Sequence, residues 1–371
     1  MGGSGAGKKL KGGGAETGNR EQKTERPGQE GMLEELKKAA DCIAQIEARR
    51  RGEAARVRGL APKMQEMLDG ELVMPLECAE AKGKVSAVDG GILNYEMHGA
   101  DLLIGKAVSS TFTYENGGLK SHSYYPNAFP QPAYDVKTGL DEREVNWHRS
   151  IFRLNLEIQN ALETARKERP EFLFLDGSVI PLACDRPSDD SVLFEDYLML
   201  IKRYKELFKF CAESGVCVAG VVKDSRGKRV MEMLAKHTGE RCSDTVFLNH
   251  LLREGERTCV LHYSSSPKQH AVLKDLGEWG ERIRIAYLKP VAEDRPLRVE
   301  FLEGAKKYRE IIGVIASLSK INRNYAYPAV LIDADLRAAM DPLELERAKR
   351  SLSMLAGPEL LQLRRNSRPF R

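Results

Sequence analysis

No run of apolar residues in this chain approaches the roughly 20 needed to cross a bilayer. The N-terminus also lacks the apolar core of a secretory signal. Paired cysteines are missing too. The seven thiols (Cys42, Cys78, Cys184, Cys211, Cys217, Cys242, Cys259) contain no CxxC, which argues against a zinc ribbon. Their odd count and scatter suit reduced thiols in a cytoplasmic protein. The seven histidines form no HExxH pair. Ser178 follows Asp176-Gly177 rather than standing in GxSxG, so no hydrolase elbow is present. The early GGSGAGKKLKGGG has neither a preceding strand nor the GxxxxGK spacing of a phosphate loop. Charge of one sign is scarce as well: 58 Lys and Arg face 54 Asp and Glu, a net charge of +4. That balance permits a nucleic-acid partner without demanding one, because clustering matters more than the total.

What is present is 371 residues, 42% of them hydrophobic, enough for a sizeable core. Residues 1–30 are Gly, Lys, Glu, Arg, Gln and Thr with almost nothing apolar, and read as a disordered basic tail. Residues 31–75 form an N-terminal helical extension, with a helix over 32–68. Leu33, Leu36, Ala39, Ile43 and Ile46 recur along it at helical steps. An exposed helix carrying a dimer or partner contact fits this pattern, and the Arg49–Arg51 run reads as a solvated face. From 84 the text turns strand-rich, with Asn116-Gly117-Gly118 as a hairpin turn. The Pro- and Tyr-rich segment 120–140 reads as an ordered loop or flap. Its Tyr124, Tyr125, Phe129 and Tyr134 can stack on unpaired bases or simply pack on the sheet. A helix runs from Asp141, its N-cap, to Arg169, where Pro170 closes it. Strand–helix alternation then continues to a terminal helical region. One α/β domain around a mixed sheet over 80–345, with a C-terminal helix and tail over 346–371, is the architecture expected.

Two short apolar runs end in the same device. Phe172-Leu173-Phe174-Leu175 leads to Asp176-Gly177, and Val85-Ser86-Ala87-Val88 leads to Asp89-Gly90-Gly91. Each reads as a buried strand ending in a carboxylate where the backbone turns sharply. An Asp before Gly is also ordinary turn chemistry. Two such ends side by side, however, make an oxygen-ligand site for hard divalent cations. A third acid, Glu157, lies beside the apolar stripe Ile151, Leu154, Ile158, Leu162, and so can reach toward the sheet. Such a constellation suits a pair of magnesium or manganese ions cleaving a phosphodiester. Lys223, at the exit of a strand, is the candidate to balance phosphate charge. Arg226, Lys228 and Arg229 continue a positive strip suited to DNA phosphates. An actin-like phosphotransferase also uses strand-Asp-Gly devices, but no second glycine-rich phosphate loop follows another strand.

In order and spacing, AVDGG (87–91), RLNLE (153–157), LDGS (175–178), VVKDSR (221–226), Asp244-Thr245, GERT (255–258) and YAYPAVLIDAD (325–335) resemble the NurA family of DNA-end-processing nucleases. The resemblance covers residues 80–340 and implies an RNase H-like core flanked by helices. It implies a manganese-dependent nuclease acting on single- and double-stranded DNA ends, resecting 5′ to 3′ in double-strand-break repair. A homodimer working with a hexameric HerA-type translocase is implied too. By matching motifs, Asp89, Glu157 and Asp176 take the metal-ligand positions, and Tyr327 takes the place of the family's tyrosine near the site. The family's closing motif ends in histidine, and here Asp335 stands there, with Asp333 the neighbouring alternative. On a strand the two point to one face, so either can serve. The contrasting reading is a non-catalytic clamp for nucleic acid on the same fold.

Overall fold

The computed structural model describes residues 29–304 and 306–357; the tail expected over 1–30 lies outside the described residues except at its last two positions. Compactness divides the chain into residues 1–49 and 50–371. In the first unit the described residues are helical, the opening part of α1 (Gln29–Leu60). Leu33, Leu36 and Ile43 there are all more than half exposed, as expected of a solvated helix. The helix stops at Leu60, not at 68. Ala61 takes a positive φ of 40° and Pro62 follows, and a residue before proline is pushed out of the helical region.

The second unit is built on one mixed sheet. Its first strands are β1 (Val73–Pro75), β2 (Gly83–Glu96), β3 (Asp101–Glu115), β4 (Gly118–Tyr125) and β5 (Ala133–Lys137). Asn116 and Gly117, at φ 51° and 77°, form the tight turn between β3 and β4, as their chemistry predicts. Helix α2 (Glu142–Glu168) starts on the expected cap, where Asp141 accepts from the Glu144 amide at 2.8 Å and Glu144 reciprocates. Then follow β6 (Phe172–Asp176), α3 (Phe194–Ser214), β7 (Cys217–Val222), α4 (Arg229–Met233), α5 (Asp244–Leu251), β8 (Glu256–Thr258) and β9 (Leu261–His262). Two short helices, α6 (Leu273–Leu276) and α7 (Glu278–Glu281), precede β10 (Ile283–Lys289) and β11 (Leu297–Leu302). The described chain closes with α8 (Tyr308–Leu318), α9 (Ala329–Ala338) and α10 (Pro342–Ala356). None of the described helices is long and apolar enough to cross a membrane.

The strand order is β1-β8-β10-β11-β7-β6-β2-β3-β4, with β5 beside β3 and β9 beside β10. β2, β6 and β7 run parallel, and the other pairs are antiparallel. Alternation along these strands sorts the core into two layers. Leu173, Leu175 and Val218 pack with α2 and α3 on one face. Phe172, Phe174, Ala219 and Val221 pack with α8 and α9 on the other. This is the helix-flanked mixed sheet expected from the sequence.

The segment 120–140, expected as a loop or flap, instead contributes most of β4 and all of β5 to the sheet, and two further expectations fail at the site. β2 does not end at Asp89 but runs on through Gly90 and Gly91 to Glu96, so the glycines lie within a strand rather than in a turn. The segment entering Asp335 is not a strand. Pro328 caps α9, and Val330, Leu331, Ala334 and Ala338 bury at three- and four-residue steps.

Candidate metal centre

β2 and β6 pair in parallel with Val88 opposite Leu175, which sets Asp89 and Asp176 side by side one residue further on. By alternation Asp89 shares the face of Val85 and Ala87, and Asp176 the face of Phe172 and Phe174, which is the α8/α9 side. Helix α9 crosses that side and brings Asp335. Carboxylate oxygens of Asp89, Asp176 and Asp335 all lie within 4.8 Å of one another.

The two glycines of β2 explain how several elements reach one point. A Cβ on Gly90 would stand 2.7 Å from the Cγ and Oε1 of Glu157, so the bare backbone lets α2 deliver that carboxylate beside Asp89. A Cβ on Gly91 would collide with the Ala338 carbonyl, so the same strand also admits α9 from the opposite face. Gly220 on β7 is likewise covered by the 177–179 backbone that follows Asp176.

The electrostatics are those of crowded acids. Burial, then the charges of Asp176 and Glu157, push the Asp89 carboxyl up to about 8, and Asp335 hydrogen-bonds to it. Burial pushes Glu157 up to about 7 against the opposing pull of Arg153, which donates to it. Asp176 is the best-supported of the group. Lys223 donates to one of its oxygens at 3.0 Å, and the Tyr327 hydroxyl lies 2.9 Å from the other. That hydroxyl is also 2.8 Å from the Val221 carbonyl, and its one proton serves one acceptor at a time. Burial works against the Lys223 charge, but Asp176 overcomes it and holds the ammonium above the ordinary lysine range. Lys223 also lies over the Tyr327 ring at 4.5 Å, and 4.0 Å from Asp335.

Asp333 does not share this corner. On a helix, residues two apart are rotated by about 200°, not aligned as on a strand. Asp333 accepts instead from Ser110 at 2.7 Å and from Arg337 at 3.2 Å. Arg337 in turn stacks on Tyr124 at 3.8 Å from the ring centre, while Phe129 is 74% exposed.

A cavity of about 570 Å³ opens beside the acids, and Arg153, Glu157, Asp176, Arg226, Lys228 and Arg298 are among the residues that line it. Arg226 and Lys228 are both exposed. Arg229, expected to continue the positive strip, turns inward. It is 5% exposed and bound to the His262 carbonyl at 3.1 Å and to Glu66, because its residue begins α4 and packs against β9.

The device beneath Asp176 was not expected from the sequence. Glu300 on β11, 1% exposed, accepts from Ser178 Oγ at 2.6 Å and from the Val179 amide at 3.0 Å, pinning the turn after the carboxylate. Its other oxygen accepts from Arg298 at 2.6 Å, and Arg298 reaches Tyr287 at 3.0 Å. The Arg298 guanidinium fills the space a Gly227 side chain would need, so the same arginine also seats the basic loop. The available signal was the strand Leu297–Leu302 itself, where Arg298 and Glu300 stand two apart on one face among apolar residues.

A family model described as the NurA domain matches residues 83–340. Among solved structures, the NurA nuclease from Sulfolobus solfataricus is similar with a TM-score of 0.57 at 16% identity, covering 90% of this chain and 98% of that one. A NurA structure with manganese is similar at a TM-score of 0.54 and 12% identity, covering 86% of this chain and 98% of that one. A NurA structure bound to dAMP and manganese has a TM-score of 0.53 at 11% identity, covering 87% and 96%. At these identities the structural likeness concerns the fold. No curated relative matches the chain.

Proposed function

The chain belongs to the NurA nuclease family, and we propose that it hydrolyses DNA phosphodiesters with divalent cations held by Asp89, Asp176 and Asp335, and by Glu157 beside them. The observation that carries this reading is the meeting of three carboxylate oxygens, from β2, β6 and α9, within 4.8 Å. Buried like charges are costly unless a cation balances them. An all-oxygen donor set matches manganese or magnesium. When bound, such ions supply Lewis acidity and lower the pKa of a coordinated water.

The chain's own groups divide the remaining work. Tyr327 and Lys223 hold the two oxygens of Asp176, so its orientation survives the arrival of substrate. Lys223 also sets a positive charge at the lip of the acids, suited to a phosphate oxygen. Arg226 and Lys228, which line the cavity, contact backbone phosphates further along the strand, positioning the DNA without reading its bases. Arg298 and Glu300 fix the turn and the basic loop relative to each other.

The test is incubation of single- and double-stranded DNA with manganese, with magnesium and with EDTA. Cleavage is expected with either metal and none with EDTA. Asp89→Ala and Asp176→Ala are expected to lose cleavage by three orders of magnitude or more while keeping the fold, and full activity in both variants would defeat the reading. DNA bound but never cut, with any metal, would identify a clamp instead. The finer expectations are a pair of ions, 5′ to 3′ resection in break repair, a homodimer and a hexameric HerA-type partner; family membership supports these. Analytical ultracentrifugation and end-labelled substrates test the dimer and the polarity. We place the protein in the cytoplasm, a setting consistent with seven scattered cysteines that form no CxxC pair.

A further inference from the structure

Arg153 precedes Glu157 by four residues on α2, one helical turn away, and donates to it. That is its only hydrogen bond among the described residues, so most of the guanidinium's N–H donors are unspent. The side chain is 35% exposed and lines the same cavity as Glu157 and Asp176. Support of the helix is a poor account of it, because at this spacing the better order places the acid before the base. Beneath the pair, Tyr204 is fully buried with its hydroxyl unpartnered, and the charges acting on it most strongly are those of Glu157 and Arg153. This corner therefore holds more donor capacity than its own acceptors use. Lys223 differs, since its contacts lie inside the acid cluster, on Asp176, Asp335 and the Tyr327 ring.

We propose that Arg153 is a phosphate-binding residue: one N–H holds Glu157, and the free edge of the guanidinium takes a non-bridging oxygen of a DNA phosphodiester entering the cavity. The inference rests on the nuclease reading and adds a substrate contact to it. A planar guanidinium can serve a carboxylate along one edge and a phosphate along another, which an ammonium does less well. The geometry gives it a purpose as well. DNA approaching a cluster of carboxylates meets repulsion, and a cation on the α2 side of the cavity offsets it where Lys223 does not reach.

The experiment measures DNA binding by the full chain in EDTA, where no cleavage occurs, across a range of salt concentrations. The proteins are the parent, Arg153→Gln, Arg153→Lys, Glu157→Gln and Asp176→Ala. Arg153→Gln is expected to weaken binding roughly tenfold at low salt. It is also expected to flatten the slope of log K against log salt by roughly 0.7 to 0.9, the signature of one lost phosphate contact. Arg153→Lys should restore the slope but not all of the affinity, and Glu157→Gln should leave the slope intact. If Arg153→Gln keeps the parent slope and affinity, and only manganese binding measured by calorimetry weakens, the residue merely holds Glu157 and the inference is overturned. Failure of the nuclease reading has a separate signature. Asp176→Ala would then cut as well as the parent in manganese, whatever Arg153→Gln does to the salt slope.

Discussion

On the β8–β11 side of the sheet, buried acids face buried bases. Glu300 meets Arg298 at 2.6 Å and Asp69 meets Arg257 at 2.7 Å, with all four side chains at most 7% exposed. Where β2 meets β6, Asp89 is just as deeply placed, yet its neighbours are Asp176, Asp335 and Glu157. The first region closes its charge account within the protein. The second has Lys223 and Arg153 against four carboxylates, and the shortfall is visible in two acids pushed toward neutrality. The difference teaches where to look for function: a protein that can pair its buried acids, and does so nearby, leaves them crowded where an outside charge belongs.

The largest expected effect comes from breaking the balanced side. Glu300→Ala strands the Arg298 guanidinium and frees the turn behind Asp176. It should cost about 3–5 kcal/mol in urea unfolding, the range for removing one partner of a buried pair. Cleavage should fall with it. Asp89→Asn, by contrast, fixes the neutral form toward which the crowded side already pushes this carboxyl, so cleavage should vanish while stability without metal is unchanged or higher. If Asp89→Asn destabilises as much as Glu300→Ala, the contrast between the regions is wrong.

An intermediate effect follows from pH. A carboxyl whose folded pKa is raised keeps a proton that the unfolded chain has released, so its contribution to stability is lost as pH rises. For Asp89 that window runs from about 4, the ordinary carboxylate value, to about 8. The metal-free protein should therefore melt at a lower temperature at pH 8 than at pH 5.5. Manganese, which binds the deprotonated acids, should cancel or reverse that trend. Scanning fluorimetry with EDTA or manganese at both pH values checks this, and a Tm in EDTA that rises across the window would refute the crowding.

How much of this was legible in the sequence depends on range. Asp141 and Pro170 announced the ends of α2 because caps and breakers are local signals, and the apolar runs before Asp89 and Asp176 announced strands because a short apolar run bounded by turn residues is local too. That the two strands would be neighbours was not local: the Asp-Gly pairs only made a shared site conceivable, and the family resemblance is what placed Asp89 and Asp176 together. Gly90 and Gly91 were misread as a turn because a glycine's missing side chain looks the same whether the backbone bends or another element passes over it. Their actual purpose depends on Glu157 and Ala338, which are 67 and 247 positions away from them in the chain. Arg298 and Glu300 stayed hidden for the same reason, since only the register of β11 against β7 brings them beneath the 177–179 turn.

The smallest predicted effect is also the sharpest, because it separates two acids on one helix. Read as a strand, Asp333 and Asp335 were interchangeable; on α9 they face different neighbours. Asp335→Asn should weaken manganese binding at least tenfold, a loss that removal of even an outer-shell partner produces, with little change in stability because its side chain is 54% exposed. Asp333→Asn should leave manganese affinity at the parent value and cost about 1 kcal/mol, the worth of weakened bonds to Ser110 and Arg337. Calorimetric titration with manganese, paired with thermal melts, gives both readouts on each variant. Equal effects of the two substitutions on metal affinity would mean that the helix does not select between them, and the oxygen of Asp335 would lose its claim to the site.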